Sequence, residues 1–140
     1  MPHRLTILVI DDSETDLLLA EEAFSDHAEW VTTLLTRSGA EAIGYMQDQK
    51  HPVPDVVVTD LNMPGMTGLD VIRVMKSDPR LKLIPVVVLS TSSHPRDIAE
   101  AYSLHASSYL VKAADFQSFI EQVEAFVGFW RNAKVVATSG

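Results

Sequence analysis

The sequence predicts an α/β fold, a single doubly wound (βα)5 domain in which a mostly parallel sheet is covered by helices on both faces. Short apolar runs alternate with longer amphipathic segments along the chain, as in such folds. The run from Leu5 to Ile10 is apolar apart from Thr6, as in a strand that is buried on both faces. The length of 140 residues, 46% of them hydrophobic, suits one domain with a substantial core.

The predicted strands are short and rich in Val, Ile, Leu and Thr. They occupy residues 5–10, 29–36, 56–59, 86–89 and 109–111. Parallel neighbours in one sheet are almost always joined by right-handed crossovers. We therefore expect all the strands to end at the same edge of the sheet, where ligands bind in folds of this kind.

The predicted helices are marked by capping residues and breakers. Ser13 is placed to cap a first helix that runs to about His27. Ser38 and Glu41 form an S-x-x-E capping box for a second helix that reaches about Gln49. The later helices are bounded by similar signals, namely an Asp-Pro stop at 78–79 after a helix from about residue 67, a first-turn Pro95, and a capping Asp115.

The composition argues against several classes of protein. There are 11 basic and 19 acidic residues, and the resulting net charge of −8 disfavours binding to nucleic acid. The absence of cysteine excludes disulfides and thiolate metal sites. No apolar run approaches the ~20 residues of a membrane helix, and the first residues lack the apolar region of a signal peptide. We expect a cytoplasmic protein that binds neither membranes nor nucleic acid.

Polar side chains follow the strands that are predicted to be central. Asp11 and Asp12 come directly after the first strand, and Asp60 follows the third. Ser90 ends the fourth strand, and Lys112 follows the fifth. If the sheet is parallel, these side chains converge at one edge of the domain.

These residue types suit phosphoryl transfer. Three carboxylates at one point repel each other, and a hard cation with oxygen ligands, Mg²⁺ in particular, removes that penalty. Lys112 adds a positive charge that can pair with phosphate, and Ser90 adds a hydroxyl donor. A carboxylate can itself be the nucleophile and form an aspartyl phosphate. The sequence therefore indicates a Mg²⁺-dependent phosphoryl-transfer site.

Four motifs occur in order, namely IDD at 10–12, DLNMPGMTG at 60–68, PVVVLS at 85–90 and SYLVK at 108–112. Together they resemble the receiver domain of two-component response regulators. The resemblance covers about residues 4–127, and it implies a flavodoxin-like sheet with strand order 2-1-3-4-5. We assign residues 1–130 to the receiver domain and residues 131–140 to a C-terminal tail, a candidate dimerisation arm.

The same resemblance implies specific roles at the acidic residues. Asp60 would accept a phosphoryl group from a histidine kinase. Asp12, Asp60 and the backbone carbonyl of Asn62 would bind Mg²⁺, and Asp11 would assist through the water shell of the metal. The protein would signal through protein–protein contacts and would catalyse only its own phosphorylation and dephosphorylation.

Further roles are implied beside the acceptor. Lys112 would contact the phosphate, Ser90 would hydrogen-bond it, and Tyr109 would change rotamer in step. The sequence departs from the family after the lysine, where Ala113 replaces the usual proline and is expected to leave the loop freer. Thr91 also replaces a smaller residue.

A finer resemblance concerns the last part of the chain, which contains VVVLSTS at 86–92, SLHASSYLVKAADF at 103–116 and FW at 129–130. These segments resemble the single-domain regulators that are paired with bacterial phytochromes. That resemblance implies a red-light-sensing histidine kinase as phosphodonor. It also implies a homodimer formed through the last helix, the fifth strand and the tail, with Phe126, Phe129 and Trp130 as candidate contacts.

Each of these residues also has a plain structural interpretation. Asp11 and Asp12 could cap a helix, Asp60 could be an ordinary turn residue, and Lys112 could be a solvated surface residue. Tyr109 could serve only in packing, and the aromatic residues of the last helix could simply face the core.

Other functions are also open. An aspartate-dependent Mg²⁺ phosphatase typically has D-x-D after its first strand. A pseudo-receiver, which binds partners without phosphorylation, usually lacks one of the key residues. A flavin-binding domain of similar topology needs a phosphate loop rich in Ser, Thr and Gly, and the Asp11–Asp12 pair would repel the phosphate.

Overall fold

A computed structural model describes residues 4–133 of the chain. Five strands and five helices alternate within these residues. The elements are β1 (Leu5–Ile10), α1 (Glu14–Ser25), β2 (Val31–Thr36), α2 (Gly39–Gln47), β3 (Val56–Thr59), α3 (Gly68–Ser77), β4 (Val86–Ser90), α4 (Pro95–Ser103), β5 (Ser108–Val111) and α5 (Phe116–Asn132).

The strands form one parallel sheet in the order β2-β1-β3-β4-β5, which confirms the predicted fold class. The chain first moves outward from β1 to β2 and then crosses back to β3 on the other side of β1. The strand order therefore reverses between β1 and β3, and the carboxyl ends of these strands form the crevice in which ligands of such folds bind.

Two hydrophobic cores lie on opposite faces of the sheet because successive side chains of a strand point to opposite sides. In β3, Val57 packs with α2, α3 and α4, while Val56 and Val58 pack with α1 and α5. Each of these valines is at most 5% exposed. A strand covered on both faces is continuously apolar, which is why the sequence predicts β1 and β3 with the correct bounds.

Several element ends differ from the prediction by a few residues. Helix α1 ends at Ser25, and β2 begins at Val31, because the segment between them forms turns that close with hydrogen bonds from the His27 and Trp30 N–H groups. Helix α5 continues to Asn132, so it includes the first residues of the predicted tail. The rest of that tail, from residue 134 onward, lies outside the described residues.

No helix within residues 4–133 has the length and apolar character that crossing a membrane requires.

Candidate functional site

The structure brings the predicted site residues to the carboxyl edge of the sheet. Asp11 and Asp12 follow β1, Asp60 follows β3, Ser90 is the last residue of β4, and Lys112 follows β5. A cavity of about 440 Å³ opens at this edge, and Asp11, Asp60 and Lys112 are among its lining residues. The predicted convergence is therefore present.

Three carboxylates form a compact cluster at the crevice between β1 and β3. Asp11, Asp12 and Asp60 each offer one carboxylate oxygen, and these oxygens lie within 4.8 Å of one another. Asp11 is buried, Asp60 is half-buried and Asp12 is exposed. Hard oxygen donors with one open side suit Mg²⁺, which retains several waters when it binds to proteins. The residues present therefore fit a divalent cation.

Both oxygens of Asp11 already have protein partners. Oδ1 accepts a hydrogen bond from the Ser13 N–H at 2.9 Å, and Oδ2 lies 3.1 Å from the Lys112 Nζ atom. Asp11 therefore joins the start of α1 to the loop after β5. These contacts leave Asp12 and Asp60 as the cluster members with more freedom to ligate a cation directly.

Asp60 is held firmly in place by its backbone. Its N–H donates to the Ile10 carbonyl at 2.9 Å, which extends the pairing of β3 with β1 by one step. Its side-chain Oδ1 accepts the Leu61 N–H at 2.8 Å. Burial, and then the nearby negative charge of Asp11, raises the pKa of Asp60, although Lys112 opposes this shift. A cation at the cluster would offset the same repulsion.

Close packing at Gly68 explains why the loop after β3 ends on glycine. Its N–H donates to the Leu61 carbonyl at 2.9 Å. A side chain at this position would collide with the Asp60 carbonyl oxygen and would also come within 3.0 Å of the Leu61 Cα atom. The glycine therefore allows α3 to begin directly against the backbone that carries Asp60.

Lys112 bridges two carboxylates. Its Nζ atom lies 3.1 Å from Asp11 Oδ2 and 3.0 Å from Asp16 Oδ2. Burial alone would lower the pKa of Lys112, but the Asp11 and Asp16 carboxylates outweigh that effect and raise it. Lys112 therefore stays charged at the edge of the cavity.

Sequence reasoning did not identify Asp16 as a member of the site. It lies in the first turn of α1, where an acidic residue is already explained by the helix dipole. Its position one helical turn after Ser13 places it on the cavity side of α1, and the reach of Lys112 across the edge completes the contact. No local sequence pattern predicts that Lys112 reaches across the sheet edge to Asp16.

The loop after β5 is held by a side chain of α5. The Lys112 N–H donates to the Ser90 carbonyl at 2.7 Å, while the Ala113 N–H donates to Gln122 Oε1 at 3.1 Å. Gln122 Nε2 donates in turn to the Val111 carbonyl at 2.7 Å. A proline at position 113 could not make the first of the Gln122 bonds, because it has no N–H. The expectation of a freer loop is therefore wrong in this respect.

Ser90 and Tyr109 meet at the loop between β4 and α4. Ser90 is 1% exposed, and its hydroxyl accepts the Ser92 N–H at 3.1 Å. The Tyr109 hydroxyl donates to the Ser92 carbonyl at 2.8 Å. Both predicted switch residues thus contact the same loop residue. Asn62, the remaining predicted ligand, is exposed two residues after Asp60.

The candidate dimer residues occupy different environments on α5. Phe126 packs edge-on against Phe24 of α1, with ring centroids 6.0 Å apart, and Trp130 is half-buried beside it. Phe129 is 64% exposed. These three aromatic residues line a groove of about 390 Å³ beside β5, together with Leu110. The interpretation that all three face the core is therefore wrong for Phe129.

The geometry is suited to transfer of a phosphoryl group to a carboxylate. Such a transfer requires an accessible nucleophile, neutralisation of charge and correct positioning, with little other protein chemistry. Here the half-buried carboxylate of Asp60 belongs to a cluster that fits a cation, and a charged lysine lines the same cavity. A fold and a site of this kind define the receiver class of signalling proteins.

Comparisons with known proteins identify the family. The family model described as the response regulator receiver domain matches residues 7–124. The response regulator Rcp1 of Synechocystis sp. is 33% identical over 128 residues, which cover 89% of this chain and 87% of Rcp1. The chain belongs to the response regulator receiver domain family.

Solved structures of two relatives have the same fold as this chain. The phosphorylated cyanobacterial phytochrome response regulator RcpA has a TM-score of 0.89 and 33% identity, covering 96% of this chain and 99% of its own. The Mn²⁺-bound form of Rcp1 has a TM-score of 0.87 and 31% identity, covering 95% and 99% of the two chains.

Membership of this family sets the general function of the chain. Accepting a phosphoryl group on an aspartate from a kinase is the family role, so the chain is a response regulator with a histidine kinase as partner. Receiver domains bind a divalent cation at an acidic cluster, and the Asp11, Asp12 and Asp60 carboxylates provide such a cluster here.

Proposed function

We propose that the chain accepts the phosphoryl group on Asp60 in a Mg²⁺-dependent reaction. The observation that carries this proposal is the position of Asp60 within the carboxylate cluster and beside the cavity that Lys112 lines. An oxygen of Asp60 attacks phosphorus, and the bond between phosphorus and the donor's imidazole nitrogen breaks. The imidazole keeps the bonding electrons and leaves as neutral histidine after protonation.

The other site residues have supporting roles in this proposal. Asp12, Asp60 and the Asn62 carbonyl hold Mg²⁺, while Asp11 acts through the water shell, consistent with its two existing protein partners. The bound cation supplies charge neutralisation for the phosphoryl oxygens. Lys112 pairs with the phosphoryl group, which carries roughly −1.5 to −2 charges.

Ser90 and Tyr109 form the proposed route from the phosphate to the surface. Ser90 donates its hydroxyl hydrogen to the phosphoryl group, and its oxygen, which accepts the Ser92 N–H, links that contact to the β4–α4 loop. Tyr109 is attached to the same residue through the Ser92 carbonyl, so movement of this loop reaches β5 and α4. The output is a change in protein–protein contacts and not the turnover of a separate substrate.

We also propose a phytochrome-type histidine kinase as phosphodonor. Support comes from RcpA, described as a cyanobacterial phytochrome response regulator. A response regulator of R. palustris described as acting in red light signalling is also similar, with a TM-score of 0.85 and 30% identity over 96% of this chain and 99% of its own. We also propose a cytoplasmic location for the chain.

The aromatic groove beside β5 supports a homodimer. The exposed Phe129 lies next to Trp130 and Phe126 on α5, and an apolar patch of this kind favours contact with a second copy. Residues 131–140 are the proposed arm of that dimer. Light scattering on Phe129→Ala and on a chain ending at residue 130 tests the two parts separately, and a dimer of unchanged stability in both cases contradicts the proposal.

The phosphorylation test uses intact mass. We expect the wild type to gain one phosphoryl group from acetyl phosphate with Mg²⁺, or from a phytochrome-type kinase. The gain should be absent in Asp60→Asn and in the wild type treated with a chelator. Asp55→Asn is the matched control, because Asp55 lies directly before β3, at the end of the strand opposite Asp60. Its carboxylate accepts a hydrogen bond from the Thr6 N–H. A phosphoryl group that persists in Asp60→Asn places the acceptor elsewhere.

A further inference from the structure

Within residues 4–133, Lys112 forms two ion pairs, and one of them is with a carboxylate outside the acidic cluster. Nζ lies 3.0 Å from Asp16 Oδ2, as close as it lies to Asp11. The side chain of Lys112 is 13% exposed and that of Asp16 is 37% exposed, so the pair is partly shielded from solvent. Asp16 is therefore a real partner of this lysine and not a distant charge.

Asp16 and the acceptor lie on different sides of the same space. Asp16 projects from the first turn of α1, Asp60 follows β3, and both line the cavity of about 440 Å³ together with Lys112. The lysine is thus drawn towards α1, within the same cavity as the carboxylate that receives the phosphoryl group.

The ammonium group has limited capacity for further partners. It has three N–H donors, and two carboxylates already accept from it. A phosphoryl group on Asp60 would add three strong acceptor oxygens and would need the same ammonium for charge neutralisation. One N–H donor remains, but the contact with Asp16 holds the ammonium group on the α1 side of the cavity, so Asp16 and the phosphoryl group compete for the position of Lys112.

We propose that Asp16 is a positioning residue that holds Lys112 on the α1 side of the cavity and thereby restrains transfer of the phosphoryl group to Asp60. This inference rests on the proposed function of Asp60 and Lys112. Asp16 itself touches neither the phosphoryl group nor the metal, and it acts only through the lysine. Its charge sets how readily the unphosphorylated chain becomes phosphorylated.

The test compares two acidic residues in the first turn of α1. Asp16→Asn removes the charge that faces Lys112. Glu14→Gln makes the same change of charge where the side chain is 67% exposed and pairs with Arg37 at 3.1 Å. We expect Asp16→Asn to be phosphorylated by acetyl phosphate about two- to fivefold faster than the wild type, the range for a partly exposed ion pair. Glu14→Gln should match the wild type.

A second measurement does not depend on turnover. Beryllofluoride with Mg²⁺ serves as a non-reacting mimic of the phosphoryl group, and its affinity can be followed by ¹⁹F NMR. Asp16→Asn should bind it more tightly by the same factor. Asp16→Glu, which keeps the carboxylate, should restore the wild-type affinity. A thermal melt of each variant checks that α1 remains folded.

The lysine supplies the decisive comparison. In a Lys112→Gln background, Asp16→Asn should have no further effect on beryllofluoride affinity, because the partner through which it acts is gone. An effect that persists in that background, an equal effect of Glu14→Gln, or unchanged or weaker binding by Asp16→Asn overturns the inference alone. A wild type that takes neither beryllofluoride nor a phosphoryl group overturns the proposed function, and this inference with it.

Discussion

The loops after β3 and β5 carry the site's two groups of opposite charge, but they are held in different ways. All four residues of β3 are buried, whereas those of β5 are half-buried or exposed. The Asp60 backbone is packed directly against Gly68 and bonded to β1. The loop that carries Lys112 has one backbone hydrogen bond to β4, from the Lys112 N–H to the Ser90 carbonyl, and is otherwise held by side chains, chiefly that of Gln122.

The difference indicates a division of labour within the site. Asp60, the proposed acceptor, directly follows the central strand, where neighbours on both sides fix the backbone to a narrow range of positions. Lys112 follows an edge strand, where the contacts are fewer and most of them are made by side chains that can rearrange. Rearrangement on phosphorylation is therefore expected at β5 and the β4–α4 loop, while Asp60 stays in place.

We expect the largest effect from a substitution that displaces the rigidly held loop after β3. Gly68→Ala forces a methyl group against the Asp60 carbonyl, and the acceptor loop must shift. A displacement of about 1 Å at a reacting group can lower a rate ~100-fold, and we expect phosphorylation to fall by at least tenfold. The rate of phosphorylation by acetyl phosphate, followed by intact mass, measures it.

Gly44→Ala is the matched control for that substitution. A side chain at Gly44 of α2 meets nothing within 4 Å, so the alanine should leave phosphorylation unchanged. It should also raise the free energy of unfolding by about 1 kcal/mol, because alanine is the better helix former. An equal loss of phosphorylation in both variants contradicts the assigned role of Gly68.

We expect an intermediate effect at the loop after β5, which is held mainly by side chains. Gln122→Ala removes the two hydrogen bonds that flank Lys112, at 3.1 and 2.7 Å, and should lower the free energy of unfolding by about 1–2 kcal/mol. Phosphorylation should slow by only about two- to fivefold, since the lysine keeps its carboxylate partners. Urea denaturation and the same phosphorylation assay measure the two effects.

Gln117→Ala, at an exposed position on the same helix, controls for the loss of a glutamine from α5. It should change the free energy of unfolding by less than about 0.5 kcal/mol. If Gln122→Ala behaves no differently from Gln117→Ala, the loop is held by other contacts and the comparison fails.

The smallest effect is a pH dependence of stability that arises from two carboxylates at the starts of α3 and α5, the helices that follow the two loops. Hydrogen bonds from the Thr67 N–H and hydroxyl hold the pKa of Asp70 below its usual value, and those from Ser118 do the same for Asp115. A carboxyl group with a lowered folded pKa contributes stability above its unfolded pKa of 3.8, and this is lost as the pH falls through the folded value.

We therefore expect the free energy of unfolding to decrease as the pH falls below about 4. Asp70→Asn and Asp115→Asn should each show a shallower decrease between pH 4 and pH 2, as measured by urea denaturation in that pH range. Identical slopes in the wild type and both variants would mean that these caps do not contribute to the acid sensitivity of the fold.

The sequence predicts the elements of the fold better than their ends. Strands buried on both faces are visible as apolar runs, but where a helix stops depends on turns formed by its neighbours. The capping box predicted at Ser38 forms only in part, because the Glu41 carboxylate accepts the Arg37 N–H at 3.4 Å and not the Ser38 N–H. A complete box forms instead between Thr67 and Asp70, where none was predicted.

The site divides in the same way. The carboxyl edge of the sheet holds every strand-end residue that the sequence predicts there, because topology alone brings strand ends together: Asp11, Asp12, Asp60 and Lys112, which follow strands, and Ser90, which ends one. Asp16 and Gln122 were missed because their roles depend on side-chain reach. Asp16 meets Lys112 across 96 positions of sequence, and the helix pattern around it shows only an acid near an N-terminus.

The ion pair between Asp11 and Lys112 also bears on how the protein is made. These residues are 101 positions apart, and Lys112 follows β5, the fifth strand within residues 4–133. A nascent chain with only β1 to β3 already carries all three acidic residues, but it lacks Lys112 and the edge strand β5, which complete the pocket. Because contacts of such long range form late in folding, competence to receive a signal arises only when synthesis of the domain is nearly finished.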